Sequence, residues 1–84
     1  KATSVGSEVT AIPVTAATGR IFIMVKNNGA NTVYLGDSNV IAGTSGDGYP
    51  LEPGDGVTLD LKQEVVLYGR TVTGSSDVRT LEGI

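Results

Sequence analysis

The chain has 84 residues, a net charge of −3, and neither cysteine nor histidine. This length allows one domain, which buries only about 60–65% of the surface of the unfolded chain. Without cysteine and histidine, the chain lacks disulfides, thiol nucleophiles, the commonest general base and the usual zinc ligands. We therefore expect no enzyme, no metal site and no cofactor.

The distribution of charged and apolar residues argues against two further classes of partner. No basic run follows the pattern of a phosphate-binding protein, so nucleic acid is not expected as a partner. The longest apolar run, Ile21–Val25, is far shorter than the ~20 residues that span a bilayer, so no membrane association is expected. One Phe and no Trp make a weak core, and small cores without disulfides often gain stability from oligomerisation.

The N-terminal part of the chain is predicted to form an arm followed by an edge strand. Lys1–Ser7 is small and polar, which predicts a flexible or partner-docked arm outside a single β domain of residues 8–84. Glu8–Val14 alternates weakly and contains Pro13, which cannot donate to a central hydrogen-bond ladder. It is therefore predicted to be a short or edge strand.

Arg20–Asn27 is predicted to be the strongest strand. Its apolar residues occupy both faces, with Ile21, Ile23 and Val25 on one side and Phe22 and Met24 on the other. One face is expected to pack in the core. The other either meets a second layer of the same chain or contacts another subunit.

The remainder of the chain is predicted to consist of short strands separated by glycine-rich and proline-containing turns. The clearest strands are Thr32–Leu35, Tyr49–Leu51, Val57–Leu61, Val65–Arg70 and Asp77–Leu81, with at most a short one at Val40–Ala42. Alternation places Val33, Leu35, Val57, Leu59 and Leu61 inward. Seven to eight short antiparallel strands at this spacing predict an all-β fold, either a small β-sandwich or a jelly-roll-like barrel.

Two groups of polar residues are candidates for a binding site. Asp37, Asp47 and Asp55 lie beside glycines, as calcium ligands in loops do, but aspartate and glycine are also ordinary turn residues. The three tyrosines would form a sugar-stacking platform if they shared one face, although scattered tyrosines are more often at the edge of a core. Neither pattern singles out a site.

Several segments together resemble a known group of proteins. The segments are VYLGDS followed by Val40, then YPLEPGDGVTLDL, then LYGRT and finally DVRTLE, within Arg20–Glu82. In these segments the chain resembles the small β-domains of tailed-bacteriophage capsid decoration (cement) and head-fibre proteins. The resemblance implies a β-sandwich or jelly-roll-like barrel, a place on the outer capsid surface of a virion, the major capsid protein as partner, and a homotrimer.

In a protein of this type, two sets of residues are the candidates for contact. The capsid-contact candidates are Lys1, Ala2, Thr3, Ser4 and Val5, and the candidates for the contact between copies are Phe22 and Met24. The alternative functions are a glycan- or host-surface-binding module of a phage fibre and a structural subunit of a non-viral assembly. A groove lined by tyrosines and carboxylates would favour a glycan, whereas a flat face of small and apolar residues beside the N-terminal segment would favour docking on a capsid.

Overall fold

The computed structural model describes residues 1–43 and 46–83, and in these ranges β-strands are the only regular secondary structure. The strands are β1 Ala2–Val5, β2 Thr10–Ala11, β3 Phe22–Asn27, β4 Val33–Gly36, β5 Tyr49–Leu51, β6 Gly56–Leu59, β7 Tyr68–Arg70 and β8 Ser76–Gly83. The described residues include no helix long and apolar enough to cross a membrane. Two residues of the predicted glycine-rich loop, Thr44 and Ser45, and the terminal Ile84 lie outside the described residues.

The strands form two four-stranded antiparallel sheets with a jelly-roll order. The first sheet has the order β1-β8-β3-β6 and the second β2-β7-β4-β5. The pairs β1–β8, β2–β7, β3–β6 and β4–β5 are those of one long hairpin folded over on itself. This pairing is the topology of an eight-stranded jelly roll, so the predicted fold class is confirmed.

The core between the sheets is entirely aliphatic. Alternation along the strands directs every second side chain to the interior. Nine buried side chains form a single cluster: Val5, Ile12, Ile23, Val25, Val33, Leu35, Leu51, Leu67 and Val78. Val57, Leu59 and Leu61 pack against this cluster and are half-buried. The single Phe of the chain, Phe22, is not part of the cluster, which leaves the core without an aromatic ring.

The N-terminal segment is part of the fold, in contrast to the arm that was expected. Ala2–Val5 pairs with β8 over four residues. Thr3 and Val5 face the interior, where they are 6% and 0% exposed. The alternation of small polar and apolar residues in this segment suits an edge strand, and burial of Val5 in the core offsets the entropy of ordering it. The β domain therefore includes residues 2–5.

Two other strands are markedly shorter than predicted. In the region of Glu8–Val14 only Thr10 and Ala11 pair, and in that of Val65–Arg70 the strand begins at Tyr68. Val40–Ala42 forms no strand. Val65 closes a turn through its amide, which donates to the carbonyl of Lys62. Its own carbonyl accepts a hydrogen bond from a side chain, so Val65 does not pair in a β-ladder.

That side chain belongs to Arg20, which is 2% exposed and connects three segments. Its Nε donates to the carbonyl of Leu61 at 3.0 Å, and its Nη2 donates to the carbonyls of Lys62 and Val65 at 3.1 and 2.7 Å. Its Nη1 forms an ion pair with Glu82 Oε2 at 3.1 Å. The β6–β7 connection is thereby held to the start of β3 and the end of β8.

Asn27 has a similar role at the opposite end of β3, where it is completely buried. Its Nδ2 donates to the carbonyls of Asn31 and Leu51, each at 2.8 Å. Its Oδ1 accepts from the amide of Gly29 at 3.1 Å and from Ser76 Oγ at 2.6 Å. All four hydrogen-bonding positions of the amide are used, which explains a polar side chain at this depth.

Candidate docking face

The outer face of the first sheet carries a surface depression of about 490 Å³. Alternation along β3, β6 and β8 directs five side chains outward on this surface: Met24, Lys26, Thr58, Arg79 and Leu81. We call the surface formed by these five side chains the docking face. All five are exposed, and they stand on three neighbouring strands. The face is therefore rigidly supported by the ladder beneath it.

An apolar pair occupies the middle of the docking face. Met24 and Leu81 are direct cross-strand partners, 45% and 62% exposed. Phe22, the next outward residue of β3, is half-buried and stands opposite Gly83, where its ring occupies the space that a side chain at that position would need. The two predicted contact residues, Phe22 and Met24, thus lie together on an outer surface.

Beside this pair, two cations stand opposite each other. Lys26 and Arg79 are partners in the β3–β8 register, although like charges at opposite positions destabilise a sheet. Arg79 is compensated, since its Nε lies 2.9 Å from Asp77 Oδ2. Lys26 has no ion-pair partner within 4 Å among the described residues. The docking face thus holds an uncompensated positive charge on a chain whose net charge is −3.

The same ion pair influences the ionisation of Asp77. Asn28 Nδ2 donates to Asp77 Oδ2 at 3.2 Å, and this hydrogen bond is the main reason that the pKa of Asp77 is below its usual value. Desolvation opposes this shift, and the hydrogen bond and the positive charge of Arg79 lower the pKa of Asp77 further. Asp77 is therefore ionised throughout the neutral range and remains the partner of Arg79 there.

The predicted capsid-contact residues divide into two sets. Lys1, Ala2 and Ser4 are exposed, and Ala2 and Ser4 stand beside Arg79 and Asp77 on the outer side of the sheet. The other two, Thr3 and Val5, are buried in the interior and are not available for contact, because strand alternation directs their side chains to the core.

A second apolar feature lies between the sheets, where β5 and β6 form neighbouring edges. This cleft has a volume of about 370 Å³, and its walls are almost entirely apolar: Leu35, Gly36, Tyr49, Val57, Leu59 and Leu67. Tyr49 is 60% exposed. The sandwich is therefore less completely closed along this edge than at its centre.

The tyrosines do not form a platform. Tyr34 and Tyr68 are half-buried and point outward from the second sheet, where Tyr34 stands between Pro50 and Arg70. Tyr49 instead lines the cleft between the sheets. A stacking surface for a sugar needs rings on one face, and this arrangement does not supply it.

The loop aspartates do not gather into a metal site in the described part of the chain. Asp37 and Asp47 border one small depression, but Asp37 Oδ1 accepts from the amide of Asn39 and Asp47 Oδ1 from the amide of Ile41, both at 2.9 Å. Asp55 lies in the turn before β6. Within residues 1–43 and 46–83, no three acidic residues are close enough to share a metal ion.

Sequence reasoning alone missed Leu81, Lys26 and Arg79 as parts of the face. The segment DVRTL has apolar residues in both alternating sets, Val78 in one and Leu81 in the other. Its pattern therefore does not decide which side is outward. The pairing of Lys26 with Arg79 depends on the register of strands far apart in sequence, which no local pattern encodes.

Comparison with known proteins adds no relative. No family model matches the chain, no curated protein matches it, and no solved structure matches it.

Proposed function

We propose that this protein is a virion structural protein of the capsid-decoration (cement) type, which binds the outer surface of a phage capsid through its docking face and stabilises the shell. The observation that carries the proposal is the exposed pair of Met24 and Leu81 in the middle of a sheet face that continues onto β1. Exposed apolar residues that form a continuous patch, rather than being scattered singly, mark interaction surfaces.

The chemistry of the chain supports this choice over an enzyme. There is no histidine or cysteine in the sequence, Asp37 and Asp47 accept backbone hydrogen bonds in turns, and Asp77 and Glu82 are held in ion pairs. The jelly-roll fold is shared by viral capsid proteins, lectins and cupins, so by itself it favours no single function. The exposed apolar side chains of Met24 and Leu81, which lie on the same sheet face as Ala2 and Ser4 of β1, support a protein partner.

The observed position of β1 changes how the partner would be held. Lys1, Ala2 and Ser4 are the exposed residues of this segment and extend the docking face to the edge of the sheet. We propose that these three residues, together with Met24, meet the major capsid protein, and that Phe22 and Met24 also approach neighbouring copies in a trimer on the shell. No loose arm is needed for this mode of attachment.

The alternative, a glycan- or host-surface-binding module of a phage fibre, has weaker support. Its expected signature was a groove lined by tyrosines and carboxylates. Tyr34 and Tyr68 lie on the second sheet and Tyr49 lies in the cleft. No observation in the described residues favours a glycan over a protein partner.

The test is to mix the purified protein with capsids of its phage that lack it and to measure saturable binding. Met24→Asp is expected to reduce occupancy at least about tenfold, because it places a charge in the apolar centre of the contact. Val72→Asp is the matched control, since Val72 is also exposed, at 58%, but lies in the β7–β8 connection. Circular dichroism should show unchanged β-structure in both variants.

Deleting Lys1–Ser7 is not a suitable test, because it would remove β1 and uncover β8. Ala2→Glu and Ser4→Glu are better, since both side chains are exposed. If wild-type protein shows no saturable binding, the proposed function is wrong. If Met24→Asp and both glutamate variants bind like wild type, the docking face is wrong.

A further inference from the structure

The edge of the first sheet at β6 is unpaired along one side. In the sheet order β1-β8-β3-β6, β6 has β3 as its only neighbour among residues 1–43 and 46–83. The amide of Asn27 donates to the carbonyl of Asp55, and the register pairs Val25 with Val57. Since hydrogen-bonded and non-hydrogen-bonded pairs alternate, Val57 bonds to β3, whereas Gly56 and Thr58 direct their N–H and C=O groups away from it.

Gly56 leaves an opening beside the uncompensated cation of the docking face. It is the cross-strand partner of Lys26. A Cβ at this position would lie 3.4 Å from the carbonyl oxygen of Val25 and 4.0 Å from Lys26 Cβ, which are ordinary contacts. Packing within the chain therefore does not require glycine here. A glycine in a strand often marks a place where another chain approaches closely.

We propose that β6 pairs antiparallel with β6 of a second copy of this chain, about a two-fold axis at Thr58. In this register Thr58 faces Thr58 of the second copy, Val57 faces Leu59, and Gly56 faces Asp60. Asp60 directly follows β6, is exposed, and belongs by alternation to the same outer side as Gly56 and Thr58. The two first sheets then form one continuous eight-stranded sheet.

Charge complementarity favours a second copy of this chain as the partner of β6. Asp60 of the second copy stands opposite Gly56, which has no side chain in the way, and reaches Lys26 behind it. Because the contact is two-fold, the same ion pair forms twice. Within one chain Lys26 and Asp60 are about 14 Å apart, since four residues of antiparallel strand separate Gly56 from Asp60. The pair can therefore form only between copies.

The inner side of the same edge also fits a second copy. Val57 and Leu59 are half-buried and line the apolar cleft between the sheets. In the proposed register Val57 packs against Leu59 of the second copy, and Leu59 packs against Val57 of the second copy. Apolar and Thr–Thr cross-strand pairs of this kind stabilise antiparallel sheets. The pairing therefore extends apolar cover over an edge that one chain leaves partly open, and it satisfies the free backbone groups of Gly56 and Thr58.

This contact is independent of the proposed function. Its backbone pairing uses the edge of β6 and shares Lys26 and Thr58 with the docking face, but it does not require a capsid and forms in a solution of the protein alone. Sedimentation from micromolar to sub-millimolar concentration is expected to approach twice the chain mass of 8.6 kDa. A monomer over the entire range, or a trimer, would overturn the pairing and leave capsid binding to be judged by its own assay.

The first test blocks the edge. Thr58→Pro removes an N–H that points away from β3, so the ladder within the chain should be kept while the added strand cannot bond. The matched control is Ser4→Pro on the opposite edge, because Lys1 and Thr80 bond to each other and Ser4 N–H therefore points outward from β8. Thr58→Pro is expected to sediment as a folded monomer and Ser4→Pro as a dimer. A dimeric Thr58→Pro variant overturns the proposal.

The second test does not depend on the proline variants folding. Lys26→Asp and Asp60→Lys each place like charges at both ion pairs of their own dimer, and each is expected to weaken self-association about tenfold or more. Mixed together, the two variants restore attraction at both pairs of a heterodimer, which native mass spectrometry detects. Preferred heterodimer formation supports the register. Self-association of either variant at the wild-type level, or the absence of heterodimers, overturns it.

Discussion

Replacing Arg20 by Met tests whether the buried guanidinium holds the β6–β7 connection to the sandwich. Met has a similar length and no charge, so the change removes the four polar contacts and keeps most of the apolar stem. Three backbone carbonyls lose their donor, and Glu82 loses its cation. Glu82 would retain only the hydrogen bond that it accepts from the amide of Ala17 at 2.8 Å.

The size of the effect follows from the burial of this pair. The side chains of Arg20 and Glu82 are 1% and 6% exposed, so an unpaired carboxylate would remain in a largely dry environment. Removing one partner of a buried ion pair costs about 3–5 kcal/mol. A chain of this length has a total unfolding free energy of about 4–13 kcal/mol, so the variant would lose a large fraction of it.

Urea unfolding, followed by circular dichroism, measures the loss. Arg20→Lys is the matched variant, because it keeps the charge beside Glu82 and loses the fork that binds three carbonyls. It is expected to lie between wild type and Arg20→Met. The double variant Arg20→Met/Glu82→Gln should recover part of the stability lost by Arg20→Met, since no unpaired charge remains. A loss below about 1 kcal/mol for Arg20→Met would refute the role assigned to this network.

Three further changes probe other parts of the structure. Thr80→Val should raise the unfolding free energy by about 1 kcal/mol, because Thr80 Oγ1 is buried without a hydrogen-bond partner in the described structure; a decrease in the urea midpoint would contradict this. Asn27→Leu should lower it by about 3 kcal/mol, because four polar partners lose their bonds to Asn27; a loss within error would show that they find other partners. Asn28→Ala should raise the pKa of Asp77 towards 3.8, since it removes the main hydrogen bond to the carboxylate. A carboxyl NMR titration measures this pKa, and an unchanged value would contradict the assignment. Because the folded-state pKa of Asp77 is depressed, its stabilising contribution is present above pH 3.8 and disappears as the pH falls through the lower folded-state value.

The alternating pattern of the strands was sufficient to predict the fold class. In β3, Ile23 and Val25 were predicted to share one face and both are buried, and in β4 the predicted inward residues Val33 and Leu35 are buried. Turns rich in glycine and proline separated the strands at the correct spacing. Local pattern succeeds here because both the side-chain period and the turn geometry are properties of a few neighbouring residues.

Segment ends were less predictable, because contacts distant in sequence decide them. Val65 and Val66 have high β-propensity but lie exposed outside β7, where Arg20 binds the carbonyl of Val65. Ile21 was predicted to share a face with Ile23 and Val25, but it is exposed, since it precedes β3 and its amide donates to the carbonyl of Gly83. Lys1–Ser7 was predicted to be an arm because its composition is polar, yet the vacant edge of β8 accepts it as a strand.

By itself, the sequence determined that this protein is a small all-β domain without cysteine or histidine chemistry, with apolar residues on both faces of its strongest strand. Composition and strand period fix those properties locally. Only the tertiary structure decided that Met24 meets Leu81, that Lys26 stands opposite Arg79 with Gly56 open beside it, and that Arg20 is buried. These relations depend on the register and order of strands that are distant in the chain, because each pairing is selected by the burial of the whole core rather than by the residues that form it.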